Sequence, residues 1–240
     1  MKLEKIKKLA LDAIYPQFCL NCNKEGSVIC ADCFSLIEIS EYTFCPFCST
    51  PQRVFKKGTC DKHQNKSLDG LFSATPYSEA LVKKLIYNFK YSLFLKTLSP
   101  YLAYLIIAHF ISSQNQQILN SGENSLFIPI PIHKNKKRKR GFNQSELIAK
   151  ELSLVSNIPL NANVLIKTKK TQSQTKLTKE ERAQNVKNSF KITNPEIINK
   201  KIIFLVDDVF TTGSTMFEAA RVLKKAGALQ VWGVTVAREA

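Results

Sequence analysis

Seven cysteines and one histidine carry the first chemical signature. All seven cysteines lie between Cys19 and Cys60 of the 240-residue chain. They run Cys19-x2-Cys22, Cys30-x2-Cys33 and Cys45-x2-Cys48, and the series closes with Cys60-x2-His63. A turn of two residues lets paired ligands converge on one tetrahedral ion at ~2.3 Å per zinc–sulfur bond. Eight ligands in four pairs therefore make two zinc sites. Sequential pairing joins Cys19, Cys22, Cys30 and Cys33, then Cys45, Cys48, Cys60 and His63. A cross-braced pairing of first with third knuckle uses the same residues, but the short loops within each sequential set cost less closure entropy. Every position is a protein ligand, so both sites read as structural rather than catalytic. Few aliphatic residues separate the knuckles, which leaves the metal to supply much of the local folding energy. The odd cysteine count argues against a disulfide scaffold.

The second signature is Ile202-Ile-Phe-Leu-Val-Asp207-Asp208-Val209-Phe210-Thr211-Thr212-Gly213-Ser214-Thr215. An apolar strand ends in two carboxylates, and a hydroxyl-rich loop with one glycine then opens a helix. Backbone N–H groups and hydroxyls at a helix N-terminus cradle a monophosphate. In a parallel sheet such a loop lies beyond the strand's carboxyl end, where ligands bind. Asp207 and Asp208 sit where a phosphorylated sugar would place its hydroxyls. Neither a Gly-x-Gly-x-x-Gly nor a Gly-x4-Gly-Lys-Ser/Thr pattern occurs, so dinucleotide and nucleoside triphosphate sites have no anchor.

The elements that must hold these residues follow from periodicity. Residues 1–14 place apolar residues on one helical face with lysines elsewhere. Residues 68–77 read as a strand. Ser78 caps a helix from Glu79 to Tyr91 with Leu81, Leu85, Ile86 and Phe89 inward. A further helix spans Leu93 to Ser112, and 115–124 is a polar loop. Ser125 to Pro131 is a short strand. The basic run His133 to Arg140 projects as a loop, and Asn143 or Ser145 caps a helix to Ser156. Asn163 to Thr168 is a strand and Lys169 to Lys176 a mobile polar loop. Thr178 and Glu181 have capping-box spacing. A strand Lys201 to Val206, a helix Ser214 to Ala226 with Gly227 behind it, and a strand Leu229 to Val236 complete the chain. Strands alternating with helices predict an α/β fold with a parallel sheet.

The Asp207 to Thr215 stretch resembles the 5-phosphoribosyl-1-diphosphate (PRPP) motif of type I phosphoribosyltransferases. The wider order is zinc knuckles, Ile128-Pro-Ile-Pro131, then Arg140-Gly141-Phe142-Asn143-Gln144, then the acidic pair and its loop. That order resembles the ComF/GntX family of competence-associated proteins from about Cys19 to Arg238. The resemblance implies a parallel-sheet, type I phosphoribosyltransferase-like core over 67–240. It also implies a small double zinc-ribbon domain over 16–66, after the amphipathic helix of 1–15. It gives the carboxylates the ribose hydroxyls, the loop the 5′-phosphate, Pro131, Ile132, His133 and Lys134 the diphosphate with Mg²⁺, and 169–182 a closing role. Competence-machinery proteins, a helicase among them, are implied partners.

Charge extends the ligand set. Lys and Arg total 35 against 19 Asp and Glu, a net +16. Such an excess points to polyanionic partners. Lys136, Lys137, Arg138, Lys139 and Arg140 are more cations than one PRPP needs, and with Lys169, Lys170 and Lys176 they form a candidate single-stranded DNA track. Phe142 or Phe210 could stack bases. Lys24, Arg53, Lys56 and Lys57 offer a second basic area. No apolar run reaches ~18 residues and no signal peptide stands out. The chain therefore reads as cytoplasmic, with at most surface contact between its first residues and a membrane. The chain runs four residues past Val236, so no C-terminal base-recognising hood is expected, and no acidic or aromatic base-recognition signature stands out. DNA handling in natural transformation is thus favoured over transfer of ribose 5-phosphate to a base.

Overall fold

The computed structural model describes residues 16–48, 52–54, 58–91, 95–169 and 178–239. The helix expected over 1–14 lies outside the described residues, as do Lys56, Lys57, Lys170 and Lys176.

The zinc-ligand segment holds a short helix α1 (Ala31–Ser35) and an antiparallel pair, β1 (Thr43–Phe44) with β2 (Arg53–Val54). The α/β part begins with β3 (Gly70–Pro76), α2 (Ala80–Tyr91) and α3 (Ser99–Ser112). There follow β4 (Ser125–Pro129), α4 (Lys134–Arg140) and α5 (Gln144–Val155). An antiparallel pair, β5 (Leu165–Lys167) and β6 (Phe190–Ile192), brackets α6 (Lys179–Val186). The chain ends with β7 (Ile202–Phe210), α7 (Ser214–Lys225) and β8 (Gln230–Arg238).

The main sheet has four strands in the order β3-β8-β7-β4, all parallel. Its strands are buried on both faces, as parallel sheets are. Phe204 and Val206 of β7 face one apolar layer with Phe72, Phe127, Val234 and Val236, covered by α2, α3 and α5. Ile203 and Leu205 face the other with Leu126, Ile128 and Val231, covered by α7 and by Leu165 and Phe190 of the small pair. This side-to-side alternation is the strand period of two.

Several boundaries differ from expectation. The helix expected over Leu93–Ser112 starts only at Ser99, after a 3-10 turn at Leu95–Leu98. Pro100 explains it, because proline suits a first helical turn and breaks a continuing one. The basic run is not a loop but helix α4. His133 caps its start, its Nδ1 accepting from the Asn135 backbone N–H at 3.3 Å. Gly141 ends it at φ 78°, the left-handed conformation of a helix stop. Lysine and arginine are good helix formers, and these caps settle the choice. Strand β7 runs on to Phe210, so the acidic pair lies within it. The strand expected at Asn163–Thr168 forms, but it pairs antiparallel with β6 rather than joining the main sheet. The knuckle segment also contributes more apolar packing than its composition promised: Val28, Ile29 and Ile37 belong to the α2–α3–α5 core.

Candidate functional site

The eight predicted metal ligands form two clusters in sequential order, Cys19/Cys22/Cys30/Cys33 and Cys45/Cys48/Cys60/His63, with all donor atoms of a cluster within 4.8 Å of one another. A tetrahedron of sulfurs at ~2.3 Å from zinc has edges of about 3.8 Å, and a sulfur–nitrogen edge is slightly shorter. Cys22 Sγ to Cys30 Sγ is 3.6 Å and Cys48 Sγ to Cys60 Sγ 3.7 Å. His63 Nδ1 stands 3.5, 3.5 and 3.2 Å from the sulfurs of Cys45, Cys48 and Cys60. Both sets therefore fit zinc. Burial opposes ionisation of Cys19 and Cys45, but backbone N–H groups outweigh it and bring the thiols down to about 6 and about 7. Cys33 and Cys48 of the same sets are instead pushed up, so the shifts favour the metal-binding thiolate at one ligand of each set. The cross-braced pairing is excluded by this grouping.

The acidic pair opens into a cavity of about 450 Å³ beyond the carboxyl end of β7. Asp207 accepts from Ser145 Oγ at 2.8 Å and from the Asp208 backbone N–H at 2.9 Å. Asp208 is buried and ion-paired with Lys90 Nζ at 3.0 Å. Burial, reinforced by the Asp208 charge, pushes Asp207 up to about 7, although Lys90 and Ser145 pull the other way. On Lys90, burial is overcome by Asp208, and its pKa is raised. Lys136 and Lys167 stand on the same wall. Burial lowers Lys136, aided by Arg140 and Lys90. Burial and then Lys136 bring Lys167 to about 8. Cations that disfavour one another in this way bind an anion placed between them.

The loop Thr211–Thr215 forms the cavity's other side, with Gly213 at φ 75° capping α7. Glycine is required there on two counts. The conformation is left-handed, and a Cβ would stand 2.5 Å from Phe210 Cζ and 2.6 Å from Phe217 Cε2.

Placement divides the expected residues. Asp207, Asp208, Val209, Phe210, Thr211, Thr212, Gly213, Ser214, Thr215, Pro131 and Ile132 all line the cavity. His133 and Lys134 do not: the imidazole is engaged as a helix cap and Lys134 is exposed. Helical spacing splits the basic run, because residues four apart share a face. Lys136 and Arg140 line the cavity. Lys137, Arg138 and Lys139 are exposed elsewhere, with Lys137 paired to Glu146 at 2.9 Å. Phe142 and Phe210 are buried, which removes both as base-stacking candidates.

Sequence reasoning missed Lys90, Ser145 and Lys167 as wall residues, while Arg182, from the segment given a closing role, also lines the cavity. It also missed Gln144, whose buried Nε2 finds no hydrogen-bond partner among the described residues. Only the Gln144 position carried a sequence signal, through the Arg-Gly-Phe-Asn-Gln stretch. Tyr77, Tyr87 and Tyr91 line the mouth, with Tyr87 and Tyr91 rings 5.1 Å apart. One turn of α2 separates those two, which local sequence around the Thr211–Thr215 loop could not reveal.

A parallel sheet, an acidic pair near the end of a central strand and a glycine-capped hydroxyl loop at a helix start are features of a phosphoribosyltransferase-type domain. A phosphoribosyl transferase domain model matches residues 104–240 and a double zinc ribbon domain model residues 10–64. Competence protein F of Haemophilus influenzae is 29% identical over 230 residues, 90% of this chain and 95% of that protein. Competence protein ComFC of Bacillus subtilis is 27% identical over 222 residues, 90% of this chain and 86% of that protein. DNA utilization protein YhgH of Escherichia coli K12 is 35% identical over 107 residues, 44% of this chain and 46% of that protein. The chain belongs to the phosphoribosyl transferase domain family; over nine-tenths of its length it is similar to the two competence proteins. No helix among the described residues is long and apolar enough to cross a membrane.

Proposed function

We propose that this chain is a cytoplasmic competence protein whose cavity binds PRPP or a related phosphosugar with Mg²⁺ and whose exposed basic surface handles single-stranded DNA in natural transformation. The carrying observation is convergence. The Asp207–Asp208 pair, the Thr211–Thr215 loop and the cations Lys90, Lys136, Arg140 and Lys167 face one cavity. The loop would take the 5′-phosphate through backbone N–H groups and hydroxyls. Asp207 would accept from a ribose hydroxyl, held in place by Ser145. The lysine wall and Gln144 Nε2 would face the diphosphate. Mg²⁺ prefers carboxylate and phosphate oxygens and keeps several waters. The Asp207 carboxylate fits that preference, whereas Asp208 is engaged by Lys90; the ion would supply charge neutralisation at the diphosphate. The competence role is supported by the names of the two relatives that match nine-tenths of the chain. Lys137, Arg138 and Lys139 are exposed beside the cavity and suited to backbone phosphates.

A second function, transfer of ribose 5-phosphate to a nitrogenous base, is favoured by the tyrosines at the mouth, which offer π faces to an acceptor. Two assays on one preparation separate them. Labelled oligonucleotide should bind regardless of sequence and weaken steeply with salt, while pyrophosphate release from PRPP stays at background with adenine, guanine, hypoxanthine or orotate. Robust base-dependent release without DNA binding would reverse the order.

A further inference from the structure

The two metal clusters are joined to opposite faces of the sheet. Cys19 and Cys33 pack into the α2–α3–α5 layer, where Phe34 meets Tyr101 edge-on at 5.6 Å. The second cluster instead reaches the layer under α7. Phe47, inside the Cys45-x2-Cys48 knuckle, packs both against its own cluster and against that layer. Its ring lies flat on Phe217, with centroids 4.5 Å apart and 11° between planes, and 5.7 Å from the His63 ring. Phe217 in turn meets Phe210 edge-on at 5.7 Å, and these two rings close on Gly213 at the centre of the phosphate loop. A second strut runs beside the first. Arg238 donates to the carbonyl oxygens of Cys45 and Cys48 at 3.3 and 3.5 Å while its guanidinium lies 5.7 Å from the Phe210 ring centre. Ser67, just after the last ligand, donates to the Phe217 carbonyl at 3.3 Å.

The geometry points to a coupling: Phe47 transmits the state of the Cys45/Cys48/Cys60/His63 site to the phosphate loop, so that this metal site and not the first sets the loop's affinity for a phosphorylated ligand. The knuckle is two residues long and is held in shape by its own ligands. When the metal leaves, Cys45 and Cys48 are released and Phe47 loses the anchor that presses it on Phe217. Gly213 has no side chain of its own, so its position depends on the two rings packed against it. The first site has no such strut among the described residues; its contacts end in the opposite layer. Phe47, Phe217 and Arg238 are thus positioning residues for anion binding. This coupling rests on the phosphosugar assignment made above, and it is reciprocal by linkage: a ligand that prefers the ordered loop must also stabilise the second metal site.

The probe is ribose 5-phosphate, titrated calorimetrically into the full chain, with zinc counted per chain in each preparation. An aromatic stack contributes enough that Phe47→Ala should weaken binding about two- to tenfold. Phe47→Tyr should bind within twofold of the parent, and Phe34→Ala, the matching truncation beside the first site, should leave affinity unchanged. On the parent protein alone, saturating ribose 5-phosphate should make one of the two zinc equivalents harder to extract with a competing chelator at equilibrium. That arm decides the matter if Phe47→Ala does not fold. Unchanged affinity in Phe47→Ala overturns the coupling whatever its zinc content. So does an equal loss in Phe34→Ala, or chelator curves that ribose 5-phosphate does not move. No binding of ribose 5-phosphate by the parent protein is a different result: it removes the phosphosugar assignment, and the coupling with it.

Discussion

Replacing Lys90 with methionine should destabilise the protein in a way that depends on pH. Lys90 Nζ lies 3.0 Å from Asp208 Oδ1, and both side chains are largely out of water, at 23% and 9% exposure. Removing one partner of such a pair leaves a buried charge without its counterion, which costs about 3–5 kcal/mol. The neighbouring carboxyl sets the pH dependence. Asp207 already titrates at about 7, and loss of a nearby cation raises it further. A carboxyl with a raised folded-state pKa contributes stability that is full below its unfolded pKa of ~4 and is lost as pH rises through the folded value. At pH 8 the carboxyl pair of Lys90→Met carries most of its negative charge without the lysine, so the loss should approach about 3–5 kcal/mol. At ~2–4 °C per kcal/mol for a chain of this size, the melting temperature should drop by about 6–20 °C. At pH 5 the pair takes up a proton, and the loss should shrink to about 1–2 kcal/mol. Urea unfolding of both proteins at the two pH values measures this. A loss that is equal at pH 5 and pH 8, or below about 1 kcal/mol at pH 8, would refute it.

Gly213→Ala should cost about 1–3 kcal/mol, because the φ of 75° is strained for alanine and the Cβ meets two phenyl rings; thermal melting reads the loss, and ribose 5-phosphate binding should fall with it. Cys30→Ser removes one ligand of the first cluster, so metal analysis should find about one zinc fewer per chain; melting should also show a loss beyond the zinc segment, since Val28 and Ile29 share the main core. His109 is fully buried, with Nδ1 2.6 Å from the Ser40 carbonyl oxygen, Nε2 without a partner among the described residues and a pKa lowered by burial. The unfolded chain therefore binds the proton more readily, and this residue's contribution to stability declines as pH falls below ~6.5; comparing His109→Phe with the parent from pH 7 to 5 should show a shallower fall in the variant. Lys137→Ala/Arg138→Ala/Lys139→Ala should bind oligonucleotide more weakly for every sequence, with the log–log salt slope shallower by about 2, at ~0.7 per phosphate released; an unchanged slope places the DNA contact elsewhere.

What the sequence made legible followed from local spacing. The four knuckles announced the eight ligands, because two-residue turns pair them and short loops favour sequential sets; the grouping itself is settled by the structure. The Asp207–Thr215 stretch announced the cavity-lining loop, because strand, acids, glycine and helix start are contiguous. The remaining cavity wall is nonlocal. Lys90 reaches Asp208 across more than a hundred residues, and Lys167 arrives on a separate antiparallel pair. The basic run was misread for a local reason: its caps, His133 and Gly141, flank a segment that charge alone suggests is a solvated loop. Once it is a helix, the period of 3.6 divides it into cavity-facing Lys136 and Arg140 and an outer face. The tyrosine mouth depends on how α2 is rotated over the sheet, which burial of Leu85 and Phe89 decides.

Calorimetric titration of PRPP with Mg²⁺ into the parent protein and into Asp207→Asn/Asp208→Asn tests the central claim most directly. The parent protein should release saturable heat with one PRPP per chain, and the double variant, with its zinc content intact, should release none. Equal binding by both proteins, or no heat from the parent at millimolar PRPP, would contradict a phosphosugar site at the end of β7.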